Sequence, residues 1–229
     1  MNQMRFNCFV KKMKADRIEE KRRAGRPFSK FAKNGTKIIE DVRQRLLTAA
    51  VTLFARKGYS ATSVREIVAE AKVTQPVLYY YFKNKEGIFL GLMEETAHGF
   101  DELLSTLHSK KGSVREKIIF LFESIIKLHA ENIELVKIMH TLLYGPEEST
   151  PDFDFHKFPE RLRMTVMELI KQGIKNKEFR KINVDDATWG IMGILKITLE
   201  AEHCHQKVSP GIKGMKRIVN LFLDGLKKI

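Results

Sequence analysis

The stretch TSVREIVAEAKVTQPVLYYYFKNKEGIF, residues 62–89, decides the fold of this chain. Two short amphipathic segments flank a tight turn. In the first, about residues 63–70, Val64, Ile67 and Val68 recur at the spacing of a helix with one apolar side. The turn is Ala71-Lys72-Val73. Thr74 is placed to cap the second segment, residues 75–82, where Leu78 and Phe82 lie four apart and face inward. Gln75, Tyr79 and Lys83 share one outer stripe, and Pro76 and Tyr80 the next. Aromatics at helical spacing are usually core, but one short helix cannot bury three consecutive tyrosines on one side. Tyrosine hydroxyls and lysine ammonium groups donate to phosphate, and glutamine reads base edges. Such an outer face on the second of two helices is the pattern of a helix-turn-helix that enters a DNA major groove.

Upstream, Thr36 is a plausible N-cap, with Glu40 and Asp41 in the first turns of a helix that Lys57 and Gly58 end. Ile39, Val42, Leu46, Ala50, Leu53 and Phe54 form its apolar stripe. Ser60-Ala61-Thr62, with Glu66, then signals the next helix start. Downstream, the pattern predicts helices over about 85–108, 114–130, 131–144, 158–176, 184–203 and 210–226, with an acidic, proline-containing loop at 145–152. No strand pattern and no internal repeat occur. The fold class is therefore all-α: a three-helix N-terminal domain at 36–87 and a larger helical domain at 88–229. Residues 1–35 form a basic tail.

Charge divides along the same line. The 229 residues carry a net charge of +13. Residues 1–87 hold 20 Lys and Arg against 8 Asp and Glu, whereas residues 88–229 hold 21 against 20. A solvated surface does not predict so lopsided a split, whereas neutralisation of a polyanion does. A groove-reading motif within the basic part, and no strongly amphipathic basic helix, favour nucleic acid over a membrane surface. In the tail, Gly25-Arg26-Pro27 resembles the core of arms that slip an arginine into the minor groove. A disordered basic leader is the alternative. No apolar run is long enough to span a bilayer, and the first residues lack the apolar centre of a signal peptide. Cys8 and Cys204 form no paired framework, which fits a reducing cytoplasm.

Beyond these features, the chain resembles the TetR family of bacterial transcriptional regulators. The resemblance covers about residues 42–93 and rests on the ordered set AAVTLFARKGY, TSVREIVAEAKV and LYYYFKNKEGIF. It implies a helix-turn-helix over about 63–82. By the same resemblance, Thr62 and Ser63 approach phosphate. Thr74 caps the recognition helix and touches the DNA backbone. Gln75, Pro76 and Val77 meet bases. Tyr79, Tyr80 and Tyr81 brace against phosphates, and Lys85 holds another at the next helix start. Pro76 departs from the family, which often has glycine there. Proline is tolerated in a first helical turn, but its bulk makes base preference at this position particular to this chain.

For residues 94–229 the resemblance is one of layout. It implies an effector cavity and a two-fold interface built from two helices of each subunit. Soft apolar side chains adapt to varied guests, so Phe100, Phe122, Met167, Trp189 and Met192 are candidate pocket residues, with His129, His140, Tyr144 and Thr188 as polar ones. For any single one of them, plain packing of the bundle is the competing account. Gly193, Ile197, Ile218, Leu221 and Phe222 are the candidate dimer face, where small residues on Trp189-Gly190 and Gly193 permit close helix approach. His203-Cys204-His205 invites a metal reading, but residues two apart on a helix diverge, so no metal is expected. No nucleophile, phosphate-loop or dinucleotide motif is present, and neither catalysis nor a cofactor is expected. The reading is a dimeric, cytoplasmic, nucleoid-associated repressor that binds a near-palindromic double-stranded DNA operator and responds to a small apolar or amphipathic effector. The alternative is a helical protein that binds nucleic acid without sequence preference.

Overall fold

The computed structural model describes residues 30–144, 151–204 and 209–227, with side chains from residue 41 and excluding those of 203 and 204. Among the described residues are nine α-helices and no strand. They are α1 (Lys30–Lys57), α2 (Val64–Ala71), α3 (Gln75–Tyr81), α4 (Lys85–Ser109), α5 (Val114–Glu131), α6 (Ile133–Tyr144), α7 (Lys157–Lys175), α8 (Val184–Cys204) and α9 (Gly211–Asp224). Helix α1 starts at Lys30 rather than at Thr36, so Thr36 lies within the helix. Its first turn holds no acidic residue, and Glu40 and Asp41 do not have the place the sequence suggested. Arg26, most of the 145–152 loop and the His203-Cys204-His205 side chains lie outside the described residues.

The chain forms two compact units. The first comprises the chain up to Gly99 together with Glu134–Phe153; the second comprises Phe100–Ile133 and Asp154–Ile229. The division expected after residue 87 is thus displaced. Helix α4 gives residues 85–99 to the first unit and 100–109 to the second.

In the first unit, α1 buries Leu46, Leu47, Ala50, Leu53 and Phe54. Ile67 and Val68 of α2, Leu78 of α3, and Ile88, Phe89 and Leu92 of α4 are buried as well. Each fully buried side chain of this size stabilises by roughly 1.5–3 kcal/mol over its exposed state. The second unit has its own core, which includes Phe100, Ile118, Leu121, Phe122, Val166, Ile170, Ile191, Leu195, Met215, Val219 and Leu223.

The tetrapeptide Ser-Val-Arg-Glu occurs twice, at 63–66 and 113–116, and builds the same structure both times. Ser63 caps α2 and Ser113 caps α5, each in a reciprocal capping box with the glutamate three residues on. The helix start expected at Ser60-Ala61-Thr62 therefore belongs to Ser63. Among the described residues no helix is long and apolar enough to cross a membrane.

Candidate nucleic-acid interface

The turn between α2 and α3 is tighter than expected. Ala71 remains helical, and Lys72 makes the turn in the left-handed region at φ 54°. Its N–H donates to Ala69 O at 3.2 Å and that of Val73 to Val68 O at 3.0 Å. Three residues after Lys72, α3 begins at Gln75, with Pro76 in its first turn, where a missing N–H costs no helical bond. Thr74 occupies the cap position, but its side chain makes no capping bond. Its carbonyl accepts from Val77 N at 3.1 Å and Leu78 N at 3.2 Å, and its side chain is exposed.

Leu78 and Phe82 are buried as their spacing predicts, and this fixes what the rest of α3 presents. Pro76, Tyr79, Tyr80 and Lys83 are exposed, whereas Gln75, Val77 and Tyr81 are half-buried. Tyr80 is 75% exposed, although its ring packs edge-on against Tyr81 at 5.1 Å. An aromatic ring so far out on a two-turn helix wins little from folding. Arg65 on α2 and Lys72 in the turn are also exposed. Sequence reading missed both as candidates, because their outward direction follows from the phase of α2 and the left-handed turn.

Two expected phosphate ligands have other work. Thr62 is 2% exposed, and its hydroxyl donates to Gly58 O at 2.8 Å. It closes the α1–α2 turn, where Gly58 sits at φ 87°. Lys85 is half-buried, with Nζ donating to Tyr59 O at 2.9 Å and Ser60 O at 3.2 Å. The ammonium also lies 4.4 Å from the Tyr59 ring centroid. Desolvation, and then the charge of Lys57, lowers the Lys85 pKa. Its charge is directed into the protein. Ser63 is exposed, but its hydroxyl both donates to Glu66 Oε2 at 2.7 Å and accepts from Glu66 N at 3.3 Å.

The turn beneath Lys85 is braced from α4 as well. Tyr59 packs on Phe54 at 5.1 Å and on Phe89 at 5.7 Å. Burial, and then the negative charge of Glu86, push its phenol up to about 12. Phe153 meets the other side of Phe89 edge-on at 6.0 Å, and Asp152 N donates to Glu86 Oε1 at 3.1 Å.

Glu66 also pairs with Lys57 of α1. That bond, followed by the bonds from Ser63, holds the carboxyl down at about 2. The folded value lies below the ordinary one, so the contribution is fully present above the ordinary carboxylate value of 4.5. It is lost as pH falls from there through about 2. We expect the acid side of the thermal-stability profile to flatten in Glu66→Gln; a variant profile parallel to wild type throughout that window would count against this linkage.

Of the candidate effector residues, Phe100 and Phe122 share the second unit's core and Met192 packs against it. His140 and Tyr144 belong to the first unit and the other seven to the second. Phe100 and Phe122 are buried in the second core, and the buried Thr188 hydroxyl donates to Val184 O at 2.7 Å. Trp189 is 65% exposed, and Tyr144 and His140 are exposed with their rings 4.7 Å apart. His129, Met167 and Met192 are half-buried. Two surface clefts of about 350 and 300 Å³ occur in the second unit, one along Arg115, Lys177 and Phe179, the other along Lys110, Ile119 and Phe120. None of the nine candidates lines either.

The interface candidates do share a character. Gly193, Ile197, Ile218 and Leu221 are exposed on α8 and α9, and Trp189 joins them on the outer surface. Phe222 is half-buried against Gly190, where an added Cβ would come within 2.8 Å of its ring. At Gly193 an added Cβ would meet nothing within 4 Å.

Residues 46–92 match the family model for bacterial regulatory proteins of the tetR family. YdgC of Bacillus subtilis, named an HTH-type transcriptional regulator, is 33% identical over 100 residues, covering 42% of this chain and 51% of its own. The chain spans about half the length of the first curated relatives it matches. QacR of Staphylococcus aureus, also named an HTH-type transcriptional regulator, is 26% identical over 194 residues, covering 82% of this chain and 100% of its own. The solved structure of the transcriptional regulator FadR from Bacillus subtilis, in complex with stearoyl-CoA, superposes with a TM-score of 0.64 at 22% identity, over 80% of this chain and 98% of that one. It shares the fold. The matched segment spans the helix-turn-helix whose geometry is given above, and over residues 46–92 the chain has the DNA-binding region of the tetR family of bacterial regulatory proteins.

Proposed function

We propose that this chain is a ligand-responsive transcriptional repressor that binds a near-palindromic operator as a homodimer in the bacterial cytoplasm. The observation that carries the reading is the outer face of α3. Pro76, Tyr79 and Tyr80 are exposed on a short helix whose other side is closed by Leu78 and, at its end, Phe82, and Lys83 is exposed just beyond it. Gln75, Pro76 and Val77 are assigned to base edges, with Pro76 as an apolar contact for a thymine methyl. Thr74, Tyr79, Tyr80 and Lys83 are assigned to backbone phosphates. The excess positive charge of residues 1–87 supports the same partner.

Dimerisation is supported by the apolar face of α8 and α9. Trp189, Ile197, Ile218 and Leu221 are large apolar side chains left on the surface, and a patch of this kind marks an interaction site. A two-fold pair of reading heads suits half-sites about one DNA turn apart. An apolar or amphipathic effector suits the soft apolar side chains of the second unit, where Phe120, Ile125, Phe158 and Met192 pack only partly buried against the core. Such an effector releases DNA only by binding the DNA-incompetent arrangement more tightly.

The test is binding by fluorescence anisotropy to a duplex selected in vitro with the wild-type protein, beside a duplex of random sequence. A reader keeps a large specificity ratio across a salt series. Tyr80→Ala is expected to weaken the selected duplex about tenfold while leaving the melting temperature near that of wild type, since the ring is mostly in solvent. Equal affinity for both duplexes in wild type would instead favour sequence-nonspecific binding.

A further inference from the structure

Helix α3 is only seven residues long, too short to maintain its own orientation. Two buried anchors, Leu78 and Phe82, hold it. Phe82 ends the helix with an extended backbone, its N–H donating to Leu78 O at 2.7 Å. Its ring is held by two other helices. Gly91 of α4 lies so close that an added Cβ would come within 2.8 Å of Phe82 Cε1. Arg43 of α1 places its guanidinium carbon 5.5 Å from the ring centroid. Nη1 of the same guanidinium is ion-paired with Glu95 of α4. The two charged side chains are 34% and 30% exposed, so the pair is partly shielded from solvent.

We propose that Arg43, fixed by Glu95, is a positioning residue for DNA reading. It clamps Phe82 against α4, so that the exit end of α3, and with it Tyr79 and Tyr80, keeps one angle to the groove. The proposal rests on the DNA-reading assignment above. A planar guanidinium can lie over an aromatic ring while bonding a carboxylate with an edge, which a flexible ammonium does less well. The carboxylate sets the plane and the plane sets the ring. Partly exposed ion pairs contribute little stability by themselves; the role argued here is geometric. Arg43 acts through Phe82 and is not a phosphate ligand.

The sign of one substitution separates this from simple electrostatics. Glu95→Gln removes a negative charge from a chain of net charge +13 and, by charge alone, would tighten DNA binding. As part of the clamp, its loss frees Arg43 and weakens binding to the selected sequence. The experiment measures full-length wild type, Arg43→Gln and Glu95→Gln on a duplex selected in vitro with the wild-type protein and on a random duplex, over a salt series. Thermal melting checks that each variant is folded. Both variants are expected to bind the selected duplex about fivefold more weakly, the loss that a modest cation–π contact supports. Random-duplex affinity follows the charge order instead, and the salt slope stays at the wild-type value. Unchanged or tighter binding of Glu95→Gln to the selected duplex overturns the clamp. So does a salt slope for Arg43→Gln reduced by about 0.9, the mark of a lost phosphate contact. If Arg43→Gln is unfolded at the assay temperature, the near-isosteric Glu95→Gln decides alone. A wild type that does not distinguish the two duplexes overturns the DNA-reading assignment, and the clamp with it, before any variant is compared.

Discussion

Replacing Leu221 with glutamate is expected to leave a folded monomer that binds the selected duplex two to four orders of magnitude more weakly than wild type. Leu221 is 76% exposed, so the substitution empties no core and strands no buried partner. The large effect comes from connectivity. In a dimer, the second reading head meets its half-site at the high effective concentration set by the first; a monomer loses that factor without losing any contact. In the proposed dimer, glutamate on this apolar face would add like-charge repulsion across the two-fold axis and an unpaired desolvated carboxylate. Trp189, 65% exposed on α8, is an independent position for the same test. Sedimentation would report the oligomer and anisotropy the affinity. A variant that remains dimeric, or a monomer with wild-type affinity, would remove the α8–α9 face from the interface.

Lys85→Ala should act first on the fold and only then on DNA. The family resemblance makes Lys85 a phosphate ligand, so truncation ought to weaken binding and spare stability. The geometry reverses the order. Nζ serves the carbonyls of Tyr59 and Ser60 and lies over the Tyr59 ring. Charge-assisted bonds contribute about 1.5–3 kcal/mol in shielded settings, and half-burial lowers this, so the expected destabilisation is about 1–2 kcal/mol. The turn at 58–61 loosens, and with it the entry to α2. Thermal melting should show the drop in protein without DNA. A wild-type melting temperature combined with lost operator affinity and a reduced salt slope would restore the phosphate role.

The fold was legible in residues 62–89 because its signals are local. Leu78 and Phe82 four apart predict the buried side of α3, and both are buried. Three consecutive tyrosines predict that some ring must face outward, and Tyr79 and Tyr80 do. The capping boxes were equally readable as Ser-x-x-Glu, yet the first helix start was read one residue early at Thr62. Threonine and serine are both good caps, and only the reciprocal bond to Glu66 separates them. The pocket candidates fared differently. Composition says which side chains are soft, but not whether they meet: Phe122 went into the core and Trp189 to the surface.

By itself, then, the sequence determined the helix-turn-helix, its exposed face and its charge, since each depends on neighbours within about two helical turns. Tertiary structure decided which cations remain for a ligand. Lys85 bonds a carbonyl 26 residues away, and Arg43 pairs with a carboxylate 52 residues away. A lysine beside a recognition helix reads the same in sequence whether it points at solvent or at its own backbone. Only the packing of α1 and α4 around the turn supplies the partner, and an ammonium bonded to two carbonyls is held there.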